Sequence, residues 1–233
     1  SKMNKIKTVL VLCAGLGKRL RPLTDNIPKP LLKIKDTTLI ENTLDLIKYL
    51  KVENIILNTF YLKEKLKHFI SLKYKNSNIK IIDDGPNILD TGGGIYNMMK
   101  YSREQDFITL NPDTFWSKEN VEEIKNMENF YLKNKLKNIL LVVNKKKSFD
   151  INLKGDFNLS QNLLSKGENN EYIYTGCQII NRVMFDKIEK KIFSMNEIWN
   201  LSLKSNMLSG FESKEKFNHI TNLEVYKNFL KKN

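Results

Sequence analysis

Between Thr8 and Cys13 the chain is an almost unbroken run of apolar and β-branched residues, closed by Ala14-Gly15. Such a run predicts a strand buried on both faces. Shorter runs of the same kind, at Asn54 to Asn58, Ile79 to Ile82, Phe107 to Leu110 and Ile139 to Val143, predict four more strands. Between them the apolar period becomes that of a helix. Thr38-Leu39-Ile40-Glu41 has the spacing of a capping box, and Leu39, Thr43, Leu44, Ile47 and Leu50 then fall on one helical face. Leu62 to Leu72, Ile95 to Tyr101 and Lys118 to Lys135 read as further helices, the second entered through three glycines. Strand–helix alternation through residue 145 predicts right-handed βαβ units and an α/β fold around a mainly parallel sheet. From residue 146 onward the pattern is less regular. Tyr172 to Ile180 and Met207 to Glu212 read as strands; Arg182 to Ile188, Asn196 to Leu203 and Leu223 to Leu230 read as helices.

The 233 residues suit one compact α/β unit, and 41% apolar with 28% charged residues excludes a disordered, collagen-like or coiled-coil chain. No apolar run reaches the ~18 residues of a membrane span, and the lysine-rich opening runs into the first strand without the apolar segment of a leader peptide. Two cysteines, Cys13 and Cys177, lie in apolar surroundings and suit packing in a reducing cytosol. The expected location is cytoplasmic, with no membrane partner. The net charge of +13 changes the picture less than its size suggests. It arises from 35 Lys against 4 Arg, beside 29 Asn and 24 Ile, the usage of an AT-rich coding sequence. The lysines are scattered over every predicted helix, and the densest run, Lys145-Lys146-Lys147, has no aromatic residue interleaved. With no basic stripe and no nucleic-acid module, no nucleic-acid partner is expected. A mild electropositive field that draws in a polyanionic small molecule is.

In an open α/β sheet, ligands bind beyond the carboxyl ends of the strands, so residues 14–30, 58–60, 83–94 and 111–116 hold the candidate chemistry. The first of these reads Ala14-Gly15-Leu16-Gly17-Lys18-Arg19-Leu20-Arg21-Pro22-Leu23-Thr24, then Pro28-Lys29-Pro30. Glycines let backbone N–H groups approach an anion, and the basic residues supply charge. No Gly-Lys-Ser/Thr closes the loop, so it is not a Walker A loop. Leu20 stands where a dinucleotide fingerprint needs its third glycine. On physics alone this is a phosphate-binding loop with a second, proline-flanked lysine. Asp113, closing a strand in Asn111-Pro112-Asp113, is either a metal carboxylate or a turn-capping residue. Thr91-Gly92-Gly93-Gly94 opens a helix, where backbone N–H groups lack partners, and serves either a ligand or close packing. His68, Trp116 and Trp199 carry no pattern that points to chemistry.

The string Gly-x-Gly-x-Arg-Leu-x-Pro-Leu-Thr followed by Pro-Lys-Pro-Leu resembles the signature of sugar-1-phosphate nucleotidyltransferases. Leu89-Asp90-Thr91-Gly92-Gly93-Gly94-Ile95, and Gly155-Asp156-Phe157 with Tyr174-Thr175-Gly176, resemble the short bacterial branch. N-acetylmuramate 1-phosphate uridylyltransferases are the nearest family, and mannose- and heptose-1-phosphate guanylyltransferases are related. The resemblance covers nearly the whole chain and implies a Rossmann-like three-layer αβα sandwich with a mixed, mainly parallel central sheet. One domain would span 1–233, with 1–145 the nucleotide-binding half and 146–233 the sugar-binding and closing half. The implied reaction joins a nucleoside triphosphate, UTP or GTP, to a sugar-1-phosphate and releases pyrophosphate. Arg19, Lys29 and Asp113 are then catalytic. Ala14, Gly15, Gly17, Asn58, Asp90, Thr91, Gly92 and Gly93 bind the nucleotide, and Asn111, Thr175 and Gly176 the sugar. Mg²⁺, with Mn²⁺ as the alternative, is held by Asp113 and a second ligand. In Phe217-Asn218-His219-Ile220-Thr221-Asn222, His219 stands where the family has an aspartate. That departure keeps open the rival of a catalytically impaired nucleotide-sugar-binding protein. A monomer or small homo-oligomer is expected.

Overall fold

The apolar run at Thr8 folds as β1 (Thr8–Val11), buried at every position, in a computed structural model that describes residues 5–233. Downstream lie a small hairpin of β2 (Lys33–Ile34) and β3 (Thr37–Thr38), α1 (Leu39–Leu50), β4 (Asn54–Thr59) and α2 (Lys63–Lys73). Then come β5 (Ile79–Asp83), α3 (Asp90–Met99), β6 (Asp106–Leu110), α4 (Asn120–Lys133) and β7 (Asn138–Asn144). The later part adds β8 (Asn158–Ser160), β9 (Leu163–Ser165), β10 (Tyr172–Asn181), α5 (Met195–Lys204), β11 (Ser209–Ser213) and α6 (Leu223–Lys232).

Nine strands form one sheet in the order β5-β4-β1-β6-β10-β7-β11-β9-β8. β5, β4, β1 and β6 are parallel neighbours, as are β7 and β11. β10 runs antiparallel between β6 and β7 and makes the sheet mixed. Successive side chains of a strand face opposite ways, so each parallel strand feeds two cores. Val9, Val11, Leu57 and Ile108 pack under α1, α2 and α4, while Leu10, Ile56 and Phe107 pack under α3 and α5. The result is a three-layer αβα sandwich of the Rossmann-like kind. A third cluster joins α6 to Leu20, Ile34 and Leu39. No helix among the described residues is long and apolar enough to cross a membrane.

The capping box forms as the sequence predicts: the Thr38 side chain accepts from Glu41 N–H, and the Glu41 carboxylate accepts from Thr38 N–H. Two expectations need correction. α3 begins at Asp90 rather than Ile95, so the glycines lie inside its first turns. Arg182 to Ile188 is a short 3₁₀ turn over Arg182–Phe185, not a helix. The Arg182 guanidinium is spent on the carbonyls of Met99, Ser102 and Glu104, which pins the chain there. The hairpins β2–β3 and β8–β9 escape prediction because strands of two or three residues carry no readable period.

Candidate active site

Residues that follow β1, β5 and β6, with Asn58 from the end of β4, line one cleft of about 470 Å³. Its phosphate-facing wall is the loop after β1. Gly17 adopts φ 65°, and a Cβ there would lie 2.9 Å from Thr24 Cγ2. Only glycine fits a left-handed turn so crowded. The Thr24 hydroxyl donates to the Gly17 carbonyl at 2.6 Å and fixes the turn. A 3₁₀ turn over Lys18–Leu20 follows, anchored by fully buried Leu20, and presents Lys18 and Arg19 to the cleft. Arg21 points elsewhere: it is exposed, pairs with Asp25 at 3.8 Å and does not line the cleft.

Lys29 enters from a later 3₁₀ turn, Lys29–Leu31, between extended Pro28 and buried Pro30. Its Nζ donates to Asp113 Oδ2 at 3.1 Å. Asp113 sits on the turn after β6, which three bonds hold from behind. Asn111 N–H donates to the Gly176 carbonyl at 2.9 Å, the Thr114 hydroxyl to the Thr175 carbonyl at 2.7 Å, and Ile220 N–H to the Asp113 carbonyl at 2.8 Å. Thr175 and Gly176, expected to touch a sugar, therefore lie behind Asn111 and Asp113 and do not line the cleft; Asn111 does. Gly176 stands at the irregularity where β10 shifts register against β7.

Burial alone would push the Asp113 carboxyl up. The Lys29 ammonium, with help from His219, outweighs it and holds the group at about 2, so Asp113 is a carboxylate. Its Oδ1 is buried without a hydrogen-bond partner among the described residues. His219 Nδ1 lies 3.9 Å from that oxygen, too far for a hydrogen bond. The imidazole stacks on Phe217, centroids 5.9 Å apart. Burial lowers its pKa below the ordinary value, Asp113 opposes this, and Lys29 and Arg19 reinforce it. Around neutral pH His219 is thus mostly a neutral ring beside a carboxylate, and it adds its charge to that of Lys29 only at lower pH. An orphaned, ionised oxygen in a cleft is the donor that a hard cation needs. Mg²⁺ is content with one carboxylate when phosphate oxygens and water complete its shell, so the residues present fit it. No group of three or more His, Cys, Asp or Glu converges among the described residues.

Of the residues expected to bind nucleotide, Ala14, Gly15, Gly17, Asn58, Asp90 and Thr91 line the cleft. Gly92 and Gly93 do not. A Cβ on Gly92 would lie 2.4 Å from the Phe193 ring, and one on Gly93 2.3 Å from the Lys191 carbonyl. These glycines let α3 pack against the segment before α5. Asn58 is a connector: Cys13 N–H donates to its Oδ1 at 2.7 Å, and its Nδ2 donates to Asp84 Oδ2 at 2.8 Å. Leu89, quoted above as part of the glycine motif, lines the cleft as well, as do Asp84 and Ile88, which the sequence does not single out. The available signal for Asp84 is its position directly after β5. Burial pushes the Cys13 and Cys177 thiols up, which leaves both as packing groups. His68 is exposed on α2, and Trp116 and Trp199 are buried.

Residues 8–149 match the family model for nucleotidyl transferases. The chain is 30% identical over 194 residues to the bifunctional protein GlmU of Methanocaldococcus jannaschii, which takes in 83% of this chain and 42% of that protein. It is 32% identical over 113 residues to the N-acetylmuramate alpha-1-phosphate uridylyltransferase of Caulobacter vibrioides, 47% of each chain. The chain thus spans less than half the length of these curated relatives. Among solved structures, HddC from Yersinia pseudotuberculosis superposes with a TM-score of 0.78 over 97% of this chain and 99% of its own. HddC has also been solved complexed with GMP-PN. At 23% identity this likeness speaks for the fold alone.

Proposed function

The chain belongs to the nucleotidyl transferase family, and from that premise we propose that it transfers a nucleotidyl group from a nucleoside triphosphate to a sugar-1-phosphate. The substrates are UTP or GTP with an N-acetylmuramate-, mannose- or heptose-type phosphate. The observation that carries the reading is the meeting of Arg19, Lys29 and ionised Asp113 at the mouth of a glycine loop, in one cleft. An oxygen of the sugar-1-phosphate bonds to the α-phosphorus, the bond from that phosphorus to the bridging oxygen breaks, and pyrophosphate leaves with the electron pair. Positioning and charge neutralisation supply most of such catalysis. Arg19 grips the leaving β- and γ-phosphates through its planar, permanently charged fork. Lys29, stiffened by its prolines, turns from Asp113 toward the reacting phosphates. The backbone N–H groups of Gly15 and Gly17 orient the triphosphate. Asp113 would hold Mg²⁺, with His219 or water beside it, and the ion would add charge neutralisation on the phosphates.

A screen of pyrophosphate release with Mg²⁺, four nucleoside triphosphates and a panel of sugar-1-phosphates tests this. Release is expected from one triphosphate and only with its matching sugar phosphate. His219 in place of a second carboxylate favours a second reading, a nucleotide-sugar-binding protein that no longer turns over. Nucleotide binding by calorimetry with no release across the panel would select it.

A further inference from the structure

Along the carboxyl edge of the sheet, Asp113 follows β6, the glycine loop follows β1, Asn58 is the last residue but one of β4 and Asp84 follows β5. At a strand spacing of ~4.8 Å, the cleft therefore runs about 14 Å from Asp113 to Asp84. The cationic side chains that line it, Lys18, Arg19 and Lys29, belong to the β1 loop and its continuation. The β5 end has none. There Asp84 is 7% exposed, and no ion pair forms to it among the described residues. Its neighbour Asp83 takes Lys63 instead, at 2.6 Å. Asp84 Oδ2 accepts from Asn58 Nδ2 at 2.8 Å and Oδ1 from Asn97 Nδ2 at 3.0 Å. Two neutral amides thus hold a buried carboxylate rigidly on the cleft wall. An ionised carboxylate offers about four lone-pair sites, so each oxygen can accept once more. Burial pushes the Asp84 carboxyl up, opposed by the Asn97 and Asn58 bonds, which is the mark of an anion that lacks a full set of donors.

Resting on the transferase reading, we infer that Asp84 reads the nucleobase and selects guanine. A carboxylate is a pair of acceptors side by side and needs a pair of donors. Guanine presents N1–H beside its 2-amino group. Uracil presents a single N3–H between two carbonyl oxygens, which a fixed carboxylate repels. Cytosine and adenine present one amino group next to a ring-nitrogen acceptor. Ile88 and Leu89, which line the same end, supply apolar cover for a flat ring.

Calorimetry of the whole chain with GTP and UTP, in Mg²⁺, decides. The wild type is expected to bind GTP about 10²-fold more tightly than UTP, because a pocket built for hydrogen bonds rejects a ligand that lacks the donors. Asp84→Asn turns one acceptor into a donor, with the Asn97 amide turning over to accept from it, and matches uracil's N3–H and neighbouring carbonyl. It should weaken GTP and strengthen UTP, so that the preference disappears or inverts. Equal wild-type affinities, or an Asp84→Asn loss that is the same for both nucleotides, would make Asp84 a mere brace for Asn58 and overturn the inference. If the variant does not fold, wild-type affinities that are equal or favour UTP still overturn the inference. Selective GTP binding without pyrophosphate release would sink the transferase reading and leave the base assignment standing. Failure to bind either triphosphate would remove both.

Discussion

Arg19 and Arg21 share one short loop and end in different places. Arg19 lines the cleft, whereas Arg21 is held outside it by Asp25. Arg19→Ala should lower turnover by about 10²-fold or more in the pyrophosphate-release assay, a loss of about 3 kcal/mol of charge stabilisation on the leaving group. Arg19→Lys should recover only part of it, since an ammonium cannot reproduce the fork. Arg21→Ala should leave kcat within about twofold, as for other exposed ion pairs; a larger loss there would reassign the leaving-group contact. Asp113 gives a prediction with a sign. Its carboxyl is held at about 2, below the 3.8 of a free aspartate, by Lys29 and His219 against the pull of burial. A depressed carboxyl adds stability that is complete above the unfolded pKa and is lost as pH falls through the folded one. The stability difference between wild type and Asp113→Asn, from urea unfolding, should therefore be flat at neutral pH. It should shrink by an amount on the order of 2 kcal/mol between about pH 4 and pH 2. A difference that stays flat down to pH 2 would mean that Asp113 is not the ionised partner of Lys29.

At the scale of the element, glycines of similar appearance have opposite duties. Gly15 meets nothing within 4 Å of an added Cβ, while Gly93 would drive one into the Lys191 carbonyl and donates its own N–H to the Phe193 carbonyl at 3.0 Å. Gly93→Ala should cost about 1–3 kcal/mol, because backbone must move to admit the methyl. Gly15→Ala should leave the unfolding midpoint unchanged and weaken triphosphate binding, since its methyl projects where phosphate approaches N–H groups. Urea titration and calorimetry on both variants check this, and a destabilised Gly15→Ala would contradict it. The contrast shows what a sequence can reveal about this chain. β1, β4, β5, β6 and β7 are local apolar runs, and the α1 cap is a local spacing, so each is legible without knowing its neighbours. Arg19, Lys29 and Asp113 are legible as a motif, and the fold brings them together. The partners of Gly92 and Gly93 come from residues 191–193, and Thr175 and Gly176 act by holding Asn111 and Thr114. Such roles exist only after long-range packing. A carboxylate just past a strand, like Asp84, has no local signature that separates it from a turn residue.

Over the whole molecule, the end of the chain returns to its beginning. After β11 the backbone crosses the carboxyl edge of the sheet, where Phe217 N–H donates to the Lys147 carbonyl, Phe115 N–H to Asn218 and Ile220 N–H to Asp113. α6 then packs Phe229 edge-on against Phe115 and Phe149, with centroids 5.6 and 5.1 Å away. The same cluster contains Leu20, beside Arg19, and Ile220, beside His219. One helix thus clamps the loops that carry Arg19, Asp113 and His219, although it contributes nothing to the cleft itself. Phe229 is 4% exposed, so Phe229→Ala should cost about 3–5 kcal/mol of stability. Stability is not the whole effect if the helix is a clamp. A matched cavity under α4, Met127→Ala, lies in a separate core cluster and should cost about 2–5 kcal/mol. Both variants are then assayed at a temperature where each remains folded by circular dichroism. Met127→Ala should keep nearly wild-type turnover. Phe229→Ala should lose about tenfold or more, because small misplacement of charges around the reacting phosphates is costly in the proposed nucleotidyl transfer. Equal activity in the two would reduce α6 to an ordinary layer of core.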